Sequence, residues 1–202
     1  MNKEEQKLSA GILALNRVRV QTIDGFPDEY RPTDEAEAYE VQEQLHALLD
    51  EAGYGKRVGY KIGCTTPVMQ EYLGISNPCA GGVFNTSTNY IATSAQFQNF
   101  THPGVECEIA AFIGSDLVPA SDGTPFTRES VAPSVQALFG AIEIVDDRWT
   151  DYKAVDTPSL IADDFFASGI VLSQPKPANE APDLATAIGY MTINGERVGE
   201  GV

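Results

Sequence analysis

Basic residues are scarce in this sequence, and their scarcity excludes one large class of partner. The chain has 13 lysines and arginines against 29 aspartates and glutamates, which gives a formal net charge of −16. Proteins that bind the phosphate backbone of nucleic acids present a basic face, so no nucleic-acid partner is expected. An anionic small molecule is compatible with this charge only where a metal ion or particular lysine and arginine side chains supply local positive charge.

Histidine and cysteine are also too few for the commonest zinc, iron and redox sites. Only His46 and His102 are present, and we expect His46 to pack on a helix rather than to bind a metal. Cys64, Cys79 and Cys107 are odd in number and far apart in sequence. This pattern is typical of small buried thiols in a reducing compartment. Any metal in this protein should therefore be bound by oxygen.

Long apolar runs are absent, so the sequence predicts no membrane-spanning segment and no membrane partner. The first seven residues lack the basic and apolar blocks of a secretory signal, which favours a cytoplasmic location. At 202 residues and 43% hydrophobic composition, the chain is long enough to bury the core of one globular domain, with room for a small appendage.

Residues 1–55 are predicted to form an N-terminal helical region. Apolar residues mixed with charged ones indicate a helix over Lys3–Val20. A second helix is expected after Thr33, which has the chemistry of an N-cap and is followed by two acidic residues. Gly53 and Gly55 are expected to end that helix.

Residues 56–202 have the texture of a β-rich body, with short β-like segments and frequent glycine and proline. The fold class expected is therefore α+β, with helices first and strands afterwards. A strand is predicted over Arg57–Gly63. A further helix is predicted to begin at Thr127 or Ser130 and to include apolar residues as far as Phe139.

The stretch Val105–Ile113 alternates apolar residues with two glutamates two positions apart. In a β-strand, Glu106 and Glu108 point to the same face. The commoner explanation of such spacing is a half-exposed strand with a charged outer face. The alternative is a pair of carboxylates that binds a hard divalent cation. The opposite face carries an apolar row fit to pack into a core: Val105, Cys107, Ile109, Ala111 and Ile113.

Two further residues carry unusual chemistry for their surroundings. Glu143 is embedded among apolar residues of a predicted strand, Gly140–Trp149, and burial of a carboxylate is costly unless a cation or strong donors compensate. Lys61 is a lone ammonium in a strand whose glycines would let a ligand approach the backbone. A salt-bridged glutamate and a lysine that buries only its stem are the commoner explanations of these two patterns.

Six blocks of the sequence occur in the order known from one family: Gly59–Thr65, Met69–Gln70, Leu73–Gly74, Val105–Ala110, Ala141–Val145 and Ala162–Asp163. Together they resemble the 2-keto-4-pentenoate hydratase and 2-oxo-hepta-3-ene-1,7-dioate hydratase group of the fumarylacetoacetate hydrolase (FAH) superfamily. Several spaced blocks in order are far more specific than a single Glu-x-Glu. The resemblance implies an FAH-like mixed β-sandwich roll behind an N-terminal helical region.

The resemblance also implies a metal-dependent carbon-oxygen lyase. Family members hold Mg²⁺ or Mn²⁺ through three carboxylates, which correspond here to Glu106, Glu108 and Glu143. A family lysine with a role in proton transfer corresponds to Lys61. The implied substrate is a small 2-oxo or 2-hydroxydienoic acid from the degradation of aromatic compounds, and the implied reaction adds water to it.

Two other functions stay open beside the hydratase. One is decarboxylation of 2-oxo-3-hexenedioate, or another C–C bond reaction, at the same kind of metal site. The other is a non-catalytic subunit that assembles with a related partner. Hydratases usually have an acidic residue where this chain has Cys79, and its absence weakens the hydratase interpretation without deciding between them. Tyr60 and Arg148 are secondary candidates for contact with the far end of the substrate.

The resemblance further implies that the family sheet extends beyond this chain. Family members continue past the position of Val202 with strands that complete the sheet and help to close the substrate site. In isolation the chain is therefore expected to present an exposed sheet edge and weakened activity, and to function as a homo-oligomer or with a related subunit. Spacing around Arg148–Ser168 departs from the family pattern, so a reshaped substrate pocket is expected.

Overall fold

The computed structural model describes residues 1–201, and these form two compact units. The predicted α+β class is confirmed, because helices precede a series of strands. A domain boundary at residue 55 stays a prediction. Among the residues described, no helix is long and apolar enough to cross a membrane. Unit 1 comprises Met1–Asn89, Ser94–Val105 and Ile144–Ile170, and unit 2 comprises Tyr90–Thr93, Glu106–Glu143 and the chain from Val171 onward.

Residues 1–201 contain five α-helices and nine strands, with short 3-10 turns and a π-helical turn at Asp50–Tyr54 between them. The helices are α1 (Lys3–Arg19), α2 (Glu35–Leu49), α3 (Pro67–Leu73), α4 (Arg128–Val131) and α5 (Thr157–Ala162). The strands are β1 (Arg57–Gly63), β2 (Cys79–Phe84), β3 (Thr88–Tyr90), β4 (Pro103–Ile113), β5 (Val135–Asp146), β6 (Ala167–Leu172), β7 (Lys176–Pro177), β8 (Gly189–Ile193) and β9 (Glu196–Gly201).

Helix α1 begins with a capping box. The Asn2 side chain accepts hydrogen bonds from the N–H groups of Glu4 and Glu5, and the Glu5 carboxylate accepts from the N–H of Asn2. These bonds satisfy backbone donors that would otherwise lack partners in the first turn. The helix ends at Arg19, one residue before the predicted end, where Val20 adopts a left-handed conformation.

The N-cap of α2 is Asp34, so the prediction of Thr33 is wrong by one residue. The Asp34 carboxylate accepts from the N–H of Glu37. Thr33 instead donates through its backbone N–H and its hydroxyl to the Glu37 carboxylate, at 2.9 Å each. A carboxylate at the N-cap also interacts favourably with the helix dipole.

The apolar core lies in unit 1, where α1, α2 and α5 supply most of the buried side chains. His46 on α2 is buried beside the ring of Phe84, as expected for a packed histidine. In unit 2, Ala141 is the buried hydrophobic residue among those described. The principal core side chains are Leu13, Val41, Leu45, Leu49, Trp149, Leu160 and Ile161.

The strands form three separate pairing groups. Strands β1 and β2 pair antiparallel, with Lys61 opposite Gly81 and Gly63 opposite Cys79. A larger sheet has the order β3-β6-β5-β4, and β7 adds to β5. Strands β8 and β9 form an antiparallel hairpin. The glutamate strand β4 is therefore terminal in the order of the larger sheet and pairs with β5, which carries Glu143.

The helix predicted through Phe139 is wrong, because strand β5 begins at Val135. Thr127 caps only the four-residue helix α4, and a short 3-10 turn that contains Pro133 follows it. Proline cannot donate a backbone hydrogen bond, so it does not extend a helix. Apolar residues in a short run fit a strand as well as a helix, and here pairing with neighbouring strands decides between them.

The apolar row of β4 is exposed, contrary to the prediction that it packs into a core. Val105, Ile109 and Ile113 are 51%, 53% and 44% exposed, and Cys107 is exposed as well. Alternation along a strand determines which side chains share a face. It does not determine whether another element covers that face, and the strand prediction itself is confirmed.

A buried network of ionised groups connects α1 to the segment after α5 within unit 1. Arg17 donates to the Oδ1 atom of Asp163 at 2.8 Å and to its backbone carbonyl oxygen at 2.7 Å. Arg148 donates to Asp163 Oδ2 at 2.9 Å. The carboxylate of Asp163 thus lies between two guanidinium groups, and it has no solvent exposure. Such a group is stable only while both partners remain in place.

Loss of the Asp163 charge should therefore destabilise the protein strongly. For Asp163→Asn we expect the free energy of unfolding to fall by about 3 kcal/mol or more, because two buried guanidiniums lose their shared counter-charge. Urea unfolding followed by circular dichroism measures the change. The control is Asp50→Asn, which removes the partner of the exposed Lys56 and should leave the unfolding midpoint nearly unchanged. Equal midpoints for Asp163→Asn and the wild type would contradict this account.

Candidate metal centre and other candidate residues

The structure brings together the three glutamates predicted as metal ligands. Glu106, Glu108 and Glu143 all belong to unit 2. Each offers a carboxylate oxygen, and these oxygens lie within 4.8 Å of one another. The arrangement follows from the fold, because two positions on one strand share a face and β5 is the neighbouring strand. The geometry therefore agrees with the prediction, while the role of the three residues remains a hypothesis.

The burial of the three glutamates differs in a way that suits a ligand-binding centre. Glu143 is buried at 7% exposure, whereas Glu106 and Glu108 are exposed. Carboxylates this close repel one another, and a divalent cation between them would relieve that repulsion. The buried member fixes one side, and the exposed members leave the other side open to a ligand.

The donor set itself fits a hard cation. Three carboxylate oxygens without thiol or imidazole suit Mg²⁺, Mn²⁺ or Ca²⁺, which prefer oxygen ligands. Among residues 1–201, no second group of three or more acidic, histidine or cysteine side chains is close enough to hold a metal ion. The expectation of oxygen ligation, drawn from the scarcity of histidine and cysteine, agrees with this donor set.

Lys61 lies in the middle of β1, within unit 1. Its ammonium nitrogen is 5.7 Å from the centre of the Phe165 ring. The ammonium lies beside Gly63, since a Cβ atom there would be in ordinary van der Waals contact with Lys61 Nζ at 3.8 Å. The ring quadrupole attracts an ammonium group at this distance.

The two secondary candidates have different environments, also within unit 1. Tyr60 is 57% exposed, and the Arg57 guanidinium stacks over its ring at 4.7 Å. Arg148 is 3% exposed and directs its donors to Asp163 and to the backbone carbonyl of Ala167. The arrangement gives Arg148 a part in the buried network, and contact of either residue with a substrate stays a prediction.

Cys64 and Cys79 are neighbours in the fold, which their separation in sequence concealed. Cys79 is opposite Gly63 in the β1–β2 pair. Burial raises the pKa of the Cys79 thiol to about 12, with a smaller effect of the nearby Cys64 thiol, while the positive charge of Lys61 acts in the opposite direction. Cys79 therefore carries a proton at neutral pH and does not replace an ionised acid. Only the pairing register of β1 and β2 would have shown that the two cysteines are neighbours.

Sequence reasoning also missed the residues that surround Asp164. The carboxylate of Asp164 accepts from Arg17 Nη1 at 2.9 Å and from the N–H of Gly82 at 2.8 Å, and it contacts His46 Nε2 at 2.6 Å. These partners are separated from Asp164 by up to 147 positions in the chain. Only the tertiary fold brings them together.

Comparison with known proteins identifies relatives, although no family model matches the chain. It is 29% identical over 186 residues to a 2-hydroxyhexa-2,4-dienoate hydratase of Comamonas testosteroni, which covers 90% of this chain and 67% of the relative. It is 32% identical over 150 residues to a 2-keto-4-pentenoate hydratase of Paraburkholderia xenovorans, with 73% and 53% covered. A 4-oxalocrotonate decarboxylase of a Pseudomonas species is 31% identical over 157 residues, with 76% and 58% covered.

A solved structure agrees in fold. The 4-oxalocrotonate decarboxylase from Pseudomonas putida G7, complexed with magnesium and adipate, superposes with a TM-score of 0.86 at 21% identity and covers all of this chain and 74% of its own. The predicted FAH-like fold is thereby confirmed. The chain spans about half to two thirds of the length of the curated relatives it matches.

The shared fold and the curated relatives agree with the resemblance to the FAH superfamily. The predicted resemblance to 2-keto-4-pentenoate hydratases is confirmed by these relatives, and the chain is similar to 4-oxalocrotonate decarboxylases as well.

The environment of the cysteines predicts a sharp order of reactivity toward alkylating agents. Cys107 is exposed, so it should react first with N-ethylmaleimide at pH 8. Cys79 should react at least about 100-fold more slowly, because the thiolate is the nucleophile and this thiol is both protonated and buried.

Mass spectrometry of peptides after timed labelling measures the order. Protein unfolded in urea is the control, in which all three cysteines should react at similar rates. Alkylation of Cys79 as fast as Cys107 in folded protein is the result that would refute the assigned environment.

Proposed function

We propose that this chain carries the metal-dependent active site of a hydratase that adds water to a 2-hydroxy-2,4-dienoate of the 2-keto-4-pentenoate type, in the degradation of aromatic compounds. The observation that carries the proposal is the cluster of three carboxylates on β4 and β5. The names of the relatives support the reaction class, since several are hydratases of dienoic acids.

Glu106, Glu108 and Glu143 would hold the ion, Mg²⁺ or Mn²⁺, in this proposal. A bound divalent ion supplies Lewis-acid chemistry, which polarises the carboxylate and the adjacent 2-oxo or 2-enol oxygen of such a substrate. Three ionised glutamates and one dication sum to a charge of −1. Substrate binding therefore benefits from a further positive charge, and Lys61 is the candidate.

Lys61 is assigned to proton transfer on the strength of the matching block Gly59–Thr65. A dienol becomes a ketone when its hydroxyl proton is removed and a proton is added at the far end of the conjugated system. Water then adds to the resulting α,β-unsaturated ketone. An ammonium group delivers such a proton directly, and the neutral thiol of Cys79, with a pKa of about 12, is a poor replacement for it at neutral pH.

Decarboxylation of 2-oxo-3-hexenedioate is the second candidate function. It is favoured by the relatives that are 4-oxalocrotonate decarboxylases and by Cys79 in the position where the resemblance implies an acid. The same carboxylate cluster would serve it, since polarisation of a 2-oxo acid stabilises the electron pair that remains when CO₂ departs. The two reactions differ in product, so one assay distinguishes them.

Loss of the charge of the buried glutamate should weaken metal binding. We expect Glu143→Gln to weaken binding of Mg²⁺ or Mn²⁺ by at least about tenfold, because one of three anionic oxygen ligands is lost. Isothermal titration calorimetry measures the affinity for Mg²⁺, and electron paramagnetic resonance measures the concentration of free Mn²⁺. The control is Glu180→Gln, an exposed glutamate of unit 2 outside the cluster. Equal metal affinity of Glu143→Gln and the wild type would show that the cluster does not bind the ion. Absence of metal binding by the wild type would favour a non-catalytic subunit.

The reaction is tested with two substrates and added Mg²⁺. Loss of the absorbance of 2-hydroxypenta-2,4-dienoate without release of CO₂ is the expected result, and CO₂ release from 2-oxo-3-hexenedioate would favour the decarboxylase. Lys61→Ala should lower the rate at least about 100-fold, as loss of a general acid-base does. Lys56→Ala is the control, because Lys56 is an exposed lysine paired with Asp50. Full activity of Lys61→Ala would exclude the assigned role.

A further inference from the structure

A strained backbone turn lies beside Lys61. Asp164, Phe165 and Phe166 have φ angles of 57°, 49° and 70° in succession. Residues other than glycine rarely adopt these left-handed angles, and bulky side chains such as phenylalanine adopt them least. Three such residues in succession strain the backbone. Such a turn persists only where its surroundings hold it, so the contacts that hold it are informative.

The side chain of Asp164 anchors this turn. Its Oδ2 atom pairs with Arg17 Nη1 at 2.9 Å, and its Oδ1 atom contacts both His46 Nε2 at 2.6 Å and the N–H of Gly82 at 2.8 Å. The carboxylate has no solvent exposure. Burial alone would raise the pKa of Asp164, but the charge of Arg17 and the hydrogen bond with His46 outweigh it and hold that pKa at about 2. The anchor is therefore ionised over the whole neutral range.

His46 takes part in this anchor in a defined tautomer. Arg57 Nη1 lies 2.9 Å from His46 Nδ1, and a guanidinium can only donate. The Nδ1 atom of His46 is therefore the acceptor, so Nε2 carries the hydrogen and donates it to Asp164. Arg57 is in turn paired with Glu43. The charged groups that face the turn from these elements are thus Arg17, Arg57 and Glu43, with Arg148 on the neighbouring Asp163.

Two glycines of β2 let this strand lie directly against Asp164 and His46. A Cβ atom at Gly81 would overlap the backbone carbonyl oxygen of Asp164, and one at Gly82 would lie 2.7 Å from the His46 ring. Only glycine leaves room for these contacts. Gly81 is the cross-strand partner of Lys61, and Gly82 is the partner of Tyr60. The anchored turn therefore contacts the strand that pairs with the lysine strand at the same register.

The turn also reaches the lysine through a side chain. The left-handed backbone at Phe165 presents its ring to Lys61, whose Nζ atom is 5.7 Å from the ring centre. Phe165 itself is buried. One segment thus supports Lys61 twice, through the backbone of β2 and through an aromatic face next to the ammonium. Placement of a reacting group within a fraction of an ångström is worth large factors in rate.

We propose that Asp164 is a positioning residue for Lys61, which it acts on through the strained Phe165 turn and the Gly81–Gly82 backbone. The proposal rests on the proposed function for its effect on catalysis, because it needs Lys61 to transfer a proton. Its structural part stands apart from activity, since it states that release of Asp164 changes the environment of the Lys61 ammonium in the folded protein.

Asp164→Asn tests the proposal, since it keeps the shape of the side chain and removes its charge. Amine labelling with acetic anhydride under trace conditions, read by mass spectrometry, compares Lys61 with the exposed Lys7 in the same molecule. We expect the Lys61:Lys7 labelling ratio to rise at least threefold in Asp164→Asn and in Phe165→Leu. The second variant keeps the ion pairs and removes the aromatic face, so it serves if Asp164→Asn fails to fold. Asp50→Asn is the matched control and should leave the ratio unchanged.

Kinetics supply the second readout. In the dienoate assay, we expect kcat to fall at least tenfold in both variants with a smaller rise in KM, because Lys61 keeps its charge while it loses its position, and the two changed side chains are buried. A folded Asp164→Asn with an unchanged labelling ratio overturns the proposal, and lower stability alone would show a purely structural role. If the ratio rises but Lys61→Ala retains activity, the proposed function fails and the positioning of Lys61 by Asp164 stands.

Discussion

Burial of two adjacent carboxylates is the constraint on which unit 1 depends. Asp163 and Asp164 are both without solvent exposure, and the cost of removing their charges from water is large. Arg17 offsets part of it for both residues, and Arg148 completes the set at Asp163. Because Arg17 lies on α1, the first helix is bound to the end of α5 by ion pairs as well as by apolar contacts. Any sequence change in this group has to be compensated within it.

The same constraint extends to the antiparallel pair of strands β1 and β2. The Asp164 carboxylate accepts a hydrogen bond from the backbone of β2, and β2 in turn pairs with the strand that carries Lys61. Glycine at positions 81 and 82 is required by this close approach. A stability feature and a candidate catalytic residue thus share one set of contacts. Strained backbone held by buried ion pairs is a common property of functional sites.

The carboxylates of unit 2 pose the opposite problem. Glu106, Glu108 and Glu143 converge, so their repulsion is a cost that a bound cation would convert into affinity. Acidic residues are therefore used in two ways within one acidic chain. In unit 1 they are neutralised by guanidinium groups, and in unit 2 three of them converge with the donor atoms that a hard ion prefers.

Local patterns in the sequence predicted what depends on local structure. Alternation placed Glu106 and Glu108 on one face, and the apolar neighbours of Glu143 indicated its burial. What depends on long-range pairing could not be predicted. The helix expected through Phe139 is a strand because β5 pairs with neighbouring strands. The burial expected for the apolar row of β4 was wrong because a strand's own sequence does not show which element covers it. Arg17 and Asp163 are 146 positions apart, so no spacing reveals their ion pair.

We expect a divalent cation to bind to the three glutamates of β4 and β5. Anomalous diffraction from a crystal of this chain equilibrated with Mn²⁺ tests this directly. We expect one Mn²⁺ peak with an oxygen of Glu106, of Glu108 and of Glu143 each at about 2.2 Å, a length typical of bonds from carboxylate oxygens to small divalent ions. A peak bound elsewhere, or a cluster with no Mn²⁺ at a saturating concentration, would contradict it.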